Sequence, residues 1–376
     1  MQNSQPPLLV IGAGVIGLAC AAELARRGSP PLVIERHRGP GQEATSRNSE
    51  VIHAGLYYEP GSHKAELCVE GRERLYHYCQ SRQIGHKKLG KLVVATAPHE
   101  IATLEQIRAR GLSNRAGALE ILDAHEVRVR EPRIRAAAAL WSPESGIVDA
   151  LGLCNALLAE LEQSGGAVAW RAEVLRLEHR SGAWLVTYRN ADAGEEQIEV
   201  GCLINAAGVQ ADRIAQAAGI EIDASGLRQH PCKGDYFSVS PRLGALTRHL
   251  VYPVPVAGGL GIHLTPDLTG RFRAGPDVEW RAEPDLVIDA AKAESFARAV
   301  ARYLPELRAA DLAPDYAGIR AKLQAPGEPA RDFHIAEASA LGAPGLINLL
   351  GIESPGLTAS LAIGNRVADL VAALSA

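Results

Sequence analysis

The sequence predicts an α/β fold, α+β overall, in which a domain with a parallel sheet is combined with a second, mainly antiparallel β lobe. Short apolar strands that run straight into a glycine turn and a helix occur near the N-terminus, around residue 202 and near the C-terminus. Such strands are typical of a buried parallel sheet. From Pro231 to Gly275, by contrast, apolar segments alternate with proline and glycine turns, which indicates antiparallel strands.

The N-terminal segment has the pattern of a Rossmann-like dinucleotide-binding unit. Apolar Leu8–Ile11 predicts a strand, and Gly12, Gly14 and Gly17 follow it at the spacing G-x-G-x-x-G. In this motif the first glycine allows a tight turn, the second lets a pyrophosphate approach the backbone, and the third lets the helix pack on the strand. The next strand ends on Glu35, a carboxylate that can accept hydrogen bonds from ribose hydroxyls.

Composition limits the classes of function. A length of 376 residues suffices for two domains, or for one large domain with an inserted lobe. The net charge of −4 leaves no broad basic field, so we expect no nucleic-acid partner. The six cysteines are scattered without a C-x-x-C pair, which favours reduced thiols over disulfides or a zinc site, and no metal is predicted.

The sequence also predicts a cytoplasmic protein without a transmembrane segment. Residues 1–7 lack the basic and apolar regions of a signal peptide. No uninterrupted apolar run approaches the roughly 20 residues that a membrane-spanning helix needs. Peripheral contact with the inner face of a membrane is compatible with this sequence.

Periodicity predicts further elements along the chain. They are helices over 63–83, 100–111 (ended by Gly111) and 150–165, and strands over 91–95, 167–170, 184–188 and 202–205. These elements divide into a discontinuous cofactor domain and a substrate domain. The cofactor domain is predicted to comprise residues 1–85, 146–222 and 325–376, and the substrate domain residues 86–145 and 223–324.

Three glycine-rich segments far apart in the sequence suggest a ligand longer than a nicotinamide dinucleotide. After the N-terminal motif, the second is Gly201–Gly208 and the third is Gly351–Thr358. In the third, we expect Ser354 to cap a helix and Pro355 to occupy its first turn. The positive end of that helix would favour the negative charge that a reduced isoalloxazine develops at its N1–C2=O edge. These features predict FAD as the cofactor.

Motifs spread over nearly the whole chain carry a family resemblance. They are Asn48–Tyr58, Lys64–Cys68, Gly90–Val94, Gly146–Asp149, Lys233–Tyr236, Tyr252–Pro255, Gly261–Pro266, Tyr316–Arg320 and the Gly351 loop. In them the chain resembles the D-amino-acid oxidase (DAO) superfamily of FAD-dependent oxidoreductases, and within it the L-2-hydroxyglutarate dehydrogenase/oxidase branch. The resemblance implies an FAD domain of the DAO/glutathione-reductase type and oxidation of the CH–OH group of a small 2-hydroxy acid. Hydride would pass to flavin N5 and electrons onward to oxygen or a quinone.

The glycine motifs and the resemblance together imply which residues contact FAD. They are Gly12, Gly14, Gly17, Glu35, Arg36, Thr45, Ser46, Asn48, Ser49, Val174, Ala207, Gly208, Gly351, Gly356, Leu357 and Thr358.

Oxidation of a 2-hydroxy acid needs a cation for the carboxylate and a base for the hydroxyl proton. Arg320 is the predicted carboxylate ligand, because a guanidinium offers planar bidentate donors and related enzymes place an arginine there. His263 is the predicted base, and His53, in the loop expected beside the flavin, is the second candidate. Lys233 and Tyr252 are further candidates for polar contacts with the substrate.

Two departures from the branch concern the substrate. Glu50 stands where its members carry a glycine, and Gly275–Trp280 differs from their Pro-Asn-Ala-Val-Leu-Ala type run. A carboxylate at Glu50 would repel a dicarboxylate and favour an amine or a polyol; alternatively, Glu50 pairs with Arg47 and is structural. The alternative function is therefore an amine or amino-acid oxidase of the sarcosine/glycine oxidase type, and a more remote one is a non-catalytic flavin-binding protein.

Overall fold

The computed structural model describes residues 7–255 and 259–374, which form two compact units. The first unit combines the residues up to Ser46 with Ala150–Pro231 and with the residues from Arg320 onward. The second unit combines Arg47–Asp149 with Cys232–Ile319.

The described α-helices are, in chain order, α1 (Val15–Arg26), α2 (His63–Ser81), α3 (Ile101–Ser113), α4 (Ala124–Arg130), α5 (Ala150–Gln163), α6 (Ala211–Ala217), α7 (Ala293–Ala301) and α8 (Gly356–Leu374). The strands are β1 (Leu8–Ile11), β2 (Leu32–Glu35), β3 (Val51–Ile52), β4 (His86–Lys87), β5 (Lys91–Ala95), β6 (Glu120–Asp123), β7 (Ala138–Ser142), β8 (Gly146–Val148), β9 (Ala167–Trp170), β10 (Glu173–Arg180), β11 (Ala183–Arg189), β12 (Glu195–Val200), β13 (Cys202–Asn205), β14 (His230–Val239), β15 (Leu250–Pro253), β16 (His263–Pro266), β17 (Phe272–Gly275), β18 (Glu279–Trp280), β19 (Leu312–Lys322), β20 (His334–Ala338) and β21 (Ala343–Leu350).

A six-stranded sheet forms the centre of the first unit, in the order β20-β21-β13-β1-β2-β9. All its neighbours are parallel except β20, which runs antiparallel to β21. Ile11, Asn205 and Asn348 lie side by side in register, so the loops after β1, β13 and β21 leave the sheet at the same edge. The predicted α/β fold is confirmed, and strands from the start, middle and end of the chain share this sheet.

Helices α1 and α8 pack closely in the first unit. A Cβ added to Gly364 would lie 2.5 Å from the backbone oxygen of Ala19, so glycine is what permits this approach. At the end of α1, Arg27 binds Asp369 of α8 at 2.6 Å. Within the described residues, α8 is the one helix long and apolar enough to cross a membrane, but 50% of its most apolar stretch is buried in the protein. Its apolar character is therefore explained by its place in the core.

A three-stranded antiparallel sheet, β10-β11-β12, also belongs to the first unit. Its register places Val174 opposite Tyr188. Trp184 on β11 is buried, and its indole N–H donates to the backbone oxygen of Pro344 at 2.9 Å. The strand predicted over 184–188 is thus part of a short antiparallel meander, as its alternating pattern indicates.

The second unit is built on a nine-stranded sheet in the order β18-β14-β17-β16-β15-β5-β7-β6, with β19 beside β14. A smaller sheet contains β3, β8 and β4. The core of the larger sheet includes Leu92, Phe237 and Leu264, and Phe296 of α7 packs against it. The antiparallel prediction fits the pairs from β18 through β14, β17 and β16 to β15. Strand β15, however, pairs in parallel with β5, which comes from a distant part of the chain.

Gly111 does not end α3, contrary to the sequence prediction, because the helix continues to Ser113. A Cβ on Gly111 would lie 2.6 Å from Leu119 and 3.1 Å from Leu56. The glycine therefore serves close packing inside the helix rather than its termination.

The units interleave in the same order as the predicted domains, but every boundary differs, the first one most. Residues 47–85 lie in the second unit, although they are predicted to belong to the cofactor domain. Two contacts explain this placement. Strand β3 pairs with β8, and Arg72 of α2 donates hydrogen bonds at 3.1 Å to the backbone oxygens of Ala54 and Ala116.

Candidate functional site

The turn after β1 requires glycine at two positions. Gly12 has a φ of +104°, and a Cβ there would lie 2.6 Å from the backbone oxygen of Ala206. A Cβ on Gly17 would lie 1.9 Å from the oxygen of Gly12, a distance that no relaxed structure accommodates. Side chains at these positions would separate β1 from α1 and from the loop after β13, so the glycines hold the turn in place.

Glu35 at the end of β2 is held in a fixed orientation. One carboxylate oxygen accepts a hydrogen bond from Ala13 N and the other from His37 N, both at 2.7 Å. The residue is only 8% exposed, so these two donors offset the desolvation of its charge. Each oxygen keeps a further acceptor site, which is the capacity that a ribose hydroxyl would use.

The loop that follows β2 also contacts the start of α1. Thr45 accepts a hydrogen bond from Val15 N at 3.1 Å, which satisfies one of the helix's first N–H groups. A Cβ on Gly14 would lie 3.3 Å from the Thr45 hydroxyl oxygen. Arg36 forms an ion pair with Glu43, and the Ser46 hydroxyl donates to the Glu43 backbone oxygen at 3.2 Å; these contacts order the loop.

Gln229 joins the second and third glycine segments. Its side-chain nitrogen donates to the Gly208 oxygen at 2.9 Å, and its side-chain oxygen accepts from Gly351 N at 2.7 Å. Beside it, Asn205 donates to the side-chain oxygen of Asn348 at 2.8 Å. The two loops are thus held to each other by buried amide side chains, at the sheet edge where the first glycine loop also lies.

Helix α8 begins one residue later than the sequence predicts. Ser354 does not take the N-cap position, because Ala359 N donates to the Pro355 oxygen at 2.9 Å and the helix begins at Gly356. Pro355 is therefore the cap residue and lies outside the first turn. Leu357 is half-buried and Thr358 is fully buried, and the positive end of the helix dipole lies at these residues.

Asn48 and Ser49 belong to the second unit, where two stacked tyrosines hold them. Tyr316 donates to the Asn48 backbone oxygen at 2.5 Å, and the hydroxyls of Ser49 and Tyr236 lie 3.1 Å apart. The rings of Tyr236 and Tyr316 stack at 4.6 Å. This arrangement fixes the segment in which Glu50 follows.

Glu50 adopts a left-handed backbone conformation, with a φ of +53°. Such a conformation favours glycine, which has no Cβ to clash with the backbone. The side-chain oxygen of Asn48 accepts a hydrogen bond from Glu50 N at 2.7 Å and supports the turn. Glycine would adopt this turn without strain. For Glu50 the left-handed backbone conformation costs about 1–2 kcal/mol of folding free energy.

Aromatic and cationic side chains meet in the second unit in what we call the Lys91 cluster, formed by Tyr57, Lys91, Tyr252 and His263. The rings of Tyr252 and His263 stack with centres 3.5 Å apart and an angle of 14°. The Lys91 Nζ lies 3.9 Å from the centre of the Tyr252 ring and 5.9 Å from that of Tyr57. The structure therefore brings two predicted residues, Tyr252 and His263, into direct contact.

Burial controls the ionisation of the groups in and around this cluster. It lowers the pKa of Lys91 from 10.5 to about 7. Burial, together with the charge of Lys91, holds the pKa of His53 well below its ordinary value. Burial also raises the pKa of Tyr252 well above its ordinary value, so the phenol stays neutral. At pH 7 the region thus contains a neutral imidazole and an ammonium close to its titration point.

Lys233, a predicted substrate contact, lies in a separate ionic network. It is buried, donates to the Val287 backbone oxygen and lies 3.1 Å from Asp235. The carboxylates of Asp235, Asp277 and Glu279 lie close enough together to hold a cation, and the ammonium of Lys292 contacts all three at 2.6–2.8 Å. These contacts give Lys233 a structural environment.

Arg320 is half-buried on β19, where the final segment of the first unit begins. Two functional candidates are absent from the sequence prediction. Lys91 had a weak signal in the sequence, since it opens a strand whose other four residues are apolar. Gln229 had none, because its role depends on two loops more than a hundred residues apart.

A protein-family model described as "FAD dependent oxidoreductase" (DAO) matches residues 8–370 of the chain. The chain is 37% identical to a mitochondrial L-2-hydroxyglutarate dehydrogenase of Arabidopsis thaliana, over 96% of this chain and 82% of the relative. It is 30% identical to an L-2-hydroxyglutarate dehydrogenase of Escherichia coli K12, over 98% and 93%. Identity to a mitochondrial human protein of the same name is 28%, over 97% and 88%.

Solved structures share the fold. The L-α-glycerophosphate oxidase of Mycoplasma pneumoniae, determined with FAD bound, superposes with a TM-score of 0.89 at 25% identity and covers 98% of this chain and 95% of its own. A glycine oxidase of Geobacillus kaustophilus superposes with a TM-score of 0.80 at 21% identity, over 98% and 95%. The second likeness concerns the fold alone.

Proposed function

The chain belongs to the family of FAD-dependent oxidoreductases named DAO, and we propose that it oxidises the CH–OH group of L-2-hydroxyglutarate or of a close 2-hydroxy acid. The observation that carries this proposal is the likeness to L-2-hydroxyglutarate dehydrogenases of a plant and a bacterium over almost the full length of the chain. It is an enzyme with FAD as its cofactor. The substrate is the part that needs testing.

The first unit provides residues that fit FAD. The glycine turn at Gly12, the buried carboxylate of Glu35 and the loops at Gly208 and Gly351 lie at the carboxyl ends of parallel strands, where such sheets bind nucleotides. An added Cβ on Gly208 would meet nothing within 4 Å, which leaves room beside this loop. Bound FAD supplies an acceptor for the hydride from the substrate carbon. The other predicted contacts, from Arg36 and Thr45 to Val174 and Thr358, are proposed on the family likeness.

We assign the base to His53 and keep His263 as the second candidate. His53 is half-buried, and its lowered pKa leaves the imidazole neutral at pH 7, which is the form that accepts a hydroxyl proton. His263 is more deeply buried and is stacked on Tyr252, so a role in positioning suits it better. This order reverses the one that the sequence alone favours.

Arg320 is proposed to bind the carboxylate attached to the oxidised carbon, because a guanidinium forms paired hydrogen bonds with a carboxylate. Oxygen or a quinone is the proposed electron acceptor. We also propose a cytoplasmic location, with peripheral contact at a membrane surface as an alternative. This location differs from that of relatives in plants and animals, which are named mitochondrial.

Glu50 supports a second candidate function, oxidation of an amine or amino acid. The Glu50 carboxylate, on a turn that the hydrogen bond from Glu50 N to the Asn48 side chain supports, would attract a substrate ammonium and repel a second carboxylate. The names of the most similar relatives favour the hydroxy acid.

An anaerobic titration of the purified holoenzyme separates the candidates. We expect L-2-hydroxyglutarate to bleach the flavin absorbance, and D-2-hydroxyglutarate and N-methyl amino acids to leave it unchanged. Bleaching by amines alone would select the amine oxidase. A flavin that none of these compounds reduces would contradict both and leave a flavin-binding role.

A further inference from the structure

Lys91 holds a positive charge in a buried position. Only 1% of its surface is exposed, and its ammonium lies against the aromatic faces of Tyr252 and Tyr57. Among the described residues, no hydrogen bond or ion pair joins this ammonium to a side chain. Buried lysines are normally paired with a carboxylate, because water no longer solvates their charge. Cation–π contact recovers part of that loss.

A second donor in the cluster has no acceptor. The hydroxyl of Tyr57 is buried and has no hydrogen-bond partner among the residues that the structure describes. Both groups thus offer donors: the Tyr57 hydroxyl lacks an acceptor among the described residues, and no described side chain pairs with the Lys91 ammonium. An ionised carboxylate, which only accepts hydrogen bonds, is their chemical complement.

The groups around Lys91 provide no negative charge. Burial raises the pKa of the Cys68 thiol on α2 to about 12, and the phenol of Tyr252 on β15 also stays neutral. His53, in the loop after β3, is neutral for the reason given above. His263 on β16 is the remaining titratable group of the cluster, and its ring stacks on that of Tyr252. The charge of this region is therefore positive whenever Lys91 is protonated.

We propose that Lys91, together with the Tyr57 hydroxyl, binds a carboxylate of the substrate and makes the enzyme selective for dicarboxylates. This inference rests on the proposed function and concerns the carboxylate that is not attached to the oxidised carbon. Charge-assisted hydrogen bonds to that carboxylate replace the solvation that burial removes. Lys91 is then a residue that determines specificity, with no part in proton transfer from the substrate.

Binding of glutarate to the holoenzyme tests the proposal without catalysis, because glutarate lacks the hydroxyl group that is oxidised. Pentanoate, with the same carbon chain and one carboxylate, is the matched ligand. We expect the wild type to prefer glutarate at pH 7. Lys91→Met should weaken glutarate binding by about 10- to 150-fold, the effect of losing a hydrogen bond to a charged group, and should change pentanoate binding little.

Lys88→Met is the control variant. Lys88 lies three residues earlier, is largely exposed and pairs with Glu144 at 2.6 Å. Its replacement should leave the affinity for both ligands unchanged. Flavin content and thermal unfolding show whether each variant is folded.

Proton uptake gives a readout that a purely structural lysine would not change. Because Lys91 has a pKa of about 7 and an anion favours its charged form, glutarate binding should take up a proton at pH 8. Affinity should then fall as pH rises, approaching tenfold per pH unit above 8. Calorimetry in two buffers of different ionisation enthalpy counts the proton, and Lys91→Met should abolish the uptake.

Three results would overturn the proposal: equal glutarate affinity in Lys91→Met and wild type, no preference of the wild type for glutarate, or a proton uptake on binding that Lys91→Met leaves unchanged. If Lys91→Met does not fold, Tyr57→Phe takes its place, with an expected loss of about 3- to 10-fold in glutarate affinity. Failure of the proposed function would be seen separately, as a wild-type flavin that L-2-hydroxyglutarate does not reduce.

Discussion

Lys91 and Glu50 both occupy positions at which another residue would give a more stable protein. Lys91 carries a charge that is almost completely removed from water, and Glu50 has a backbone conformation that favours glycine. Unfavourable states of this kind tend to be kept where they serve binding or catalysis. Substitutions at these two residues should therefore change the stability of the fold and the affinity for ligand differently.

Replacing Lys91 with methionine should stabilise the folded protein by about 1–4 kcal/mol at pH 6–7, since it removes a desolvated charge at similar volume. Its pKa falls from 10.5 to about 7 on folding, so between these values the unfolded chain binds more protons than the folded one. Wild-type stability therefore rises with pH in this window, and the advantage of the variant shrinks. Urea unfolding at pH 6.5 and 9 measures both effects. A variant that is less stable than the wild type at pH 6.5 would contradict this account.

Glu50→Gly should tighten glutarate binding several-fold, because it removes a negative charge, and should stabilise the fold by about 1 kcal/mol by relieving the left-handed conformation. Glu50→Gln is the matched variant, since it removes the charge and keeps the side chain at a φ of +53°. It should share the gain in binding and lack the gain in stability. Unchanged binding in both variants would show that Glu50 is structural.

At the scale of elements, the cofactor region depends on loops that hold one another. Gln229 connects the Gly208 and Gly351 loops through both ends of its amide. Gln229→Ala leaves the buried Gly351 N–H without a partner, at about 1–3 kcal/mol, and removes the donor to the more exposed Gly208 carbonyl. We expect the affinity of the apoprotein for FAD to fall by tenfold or more. The affinity is measured from the quenching of flavin fluorescence when FAD is added to the apoprotein. An unchanged dissociation constant would mean that the two loops keep their positions without this amide.

The turn between β1 and α1 should not tolerate any side chain at position 17. Gly17→Ala places a Cβ 1.9 Å from the Gly12 oxygen, so we expect protein without FAD and with a strongly reduced unfolding temperature. Gly28→Ala is the control, because a Cβ there meets nothing within 4 Å and only the left-handed φ of +87° is unfavourable. It should retain FAD with a modest loss of stability. Equal behaviour of the two variants would refute the packing argument.

Elements with a strong local pattern could be predicted from the sequence to within a few residues. The strands β1, β5 and β13 and the helix α5 are examples, because apolar periodicity and glycine turns define them locally. The predictions were wrong where contacts between residues distant in the sequence determine the structure. Gly111 is packed against Leu56 and Leu119, and β5 pairs in parallel with β15, which no local pattern reveals.

At the scale of the whole molecule, the chain alternates between two units, and its cofactor could still be predicted from the sequence. Each glycine segment has a local pattern that does not depend on the rest of the chain. The chemistry of the second unit is less accessible to sequence reasoning. Tyr252 and His263 are recognisable candidates one by one, but their stacking and the ammonium of Lys91 beside them appear only once three strands are assembled. A buried charge is a property of the fold, so its altered pKa could not be anticipated from the sequence.

In the reaction that we propose, hydride passes from carbon 2 of L-2-hydroxyglutarate to the flavin of this protein. Anaerobic stopped-flow mixing of the holoenzyme with L-2-hydroxyglutarate and with its 2-deuterated form tests it most directly. We expect loss of the oxidised-flavin absorbance with both, slowed several-fold by deuterium. A flavin that stays oxidised with L-2-hydroxyglutarate and is reduced by a secondary amine would contradict the claim.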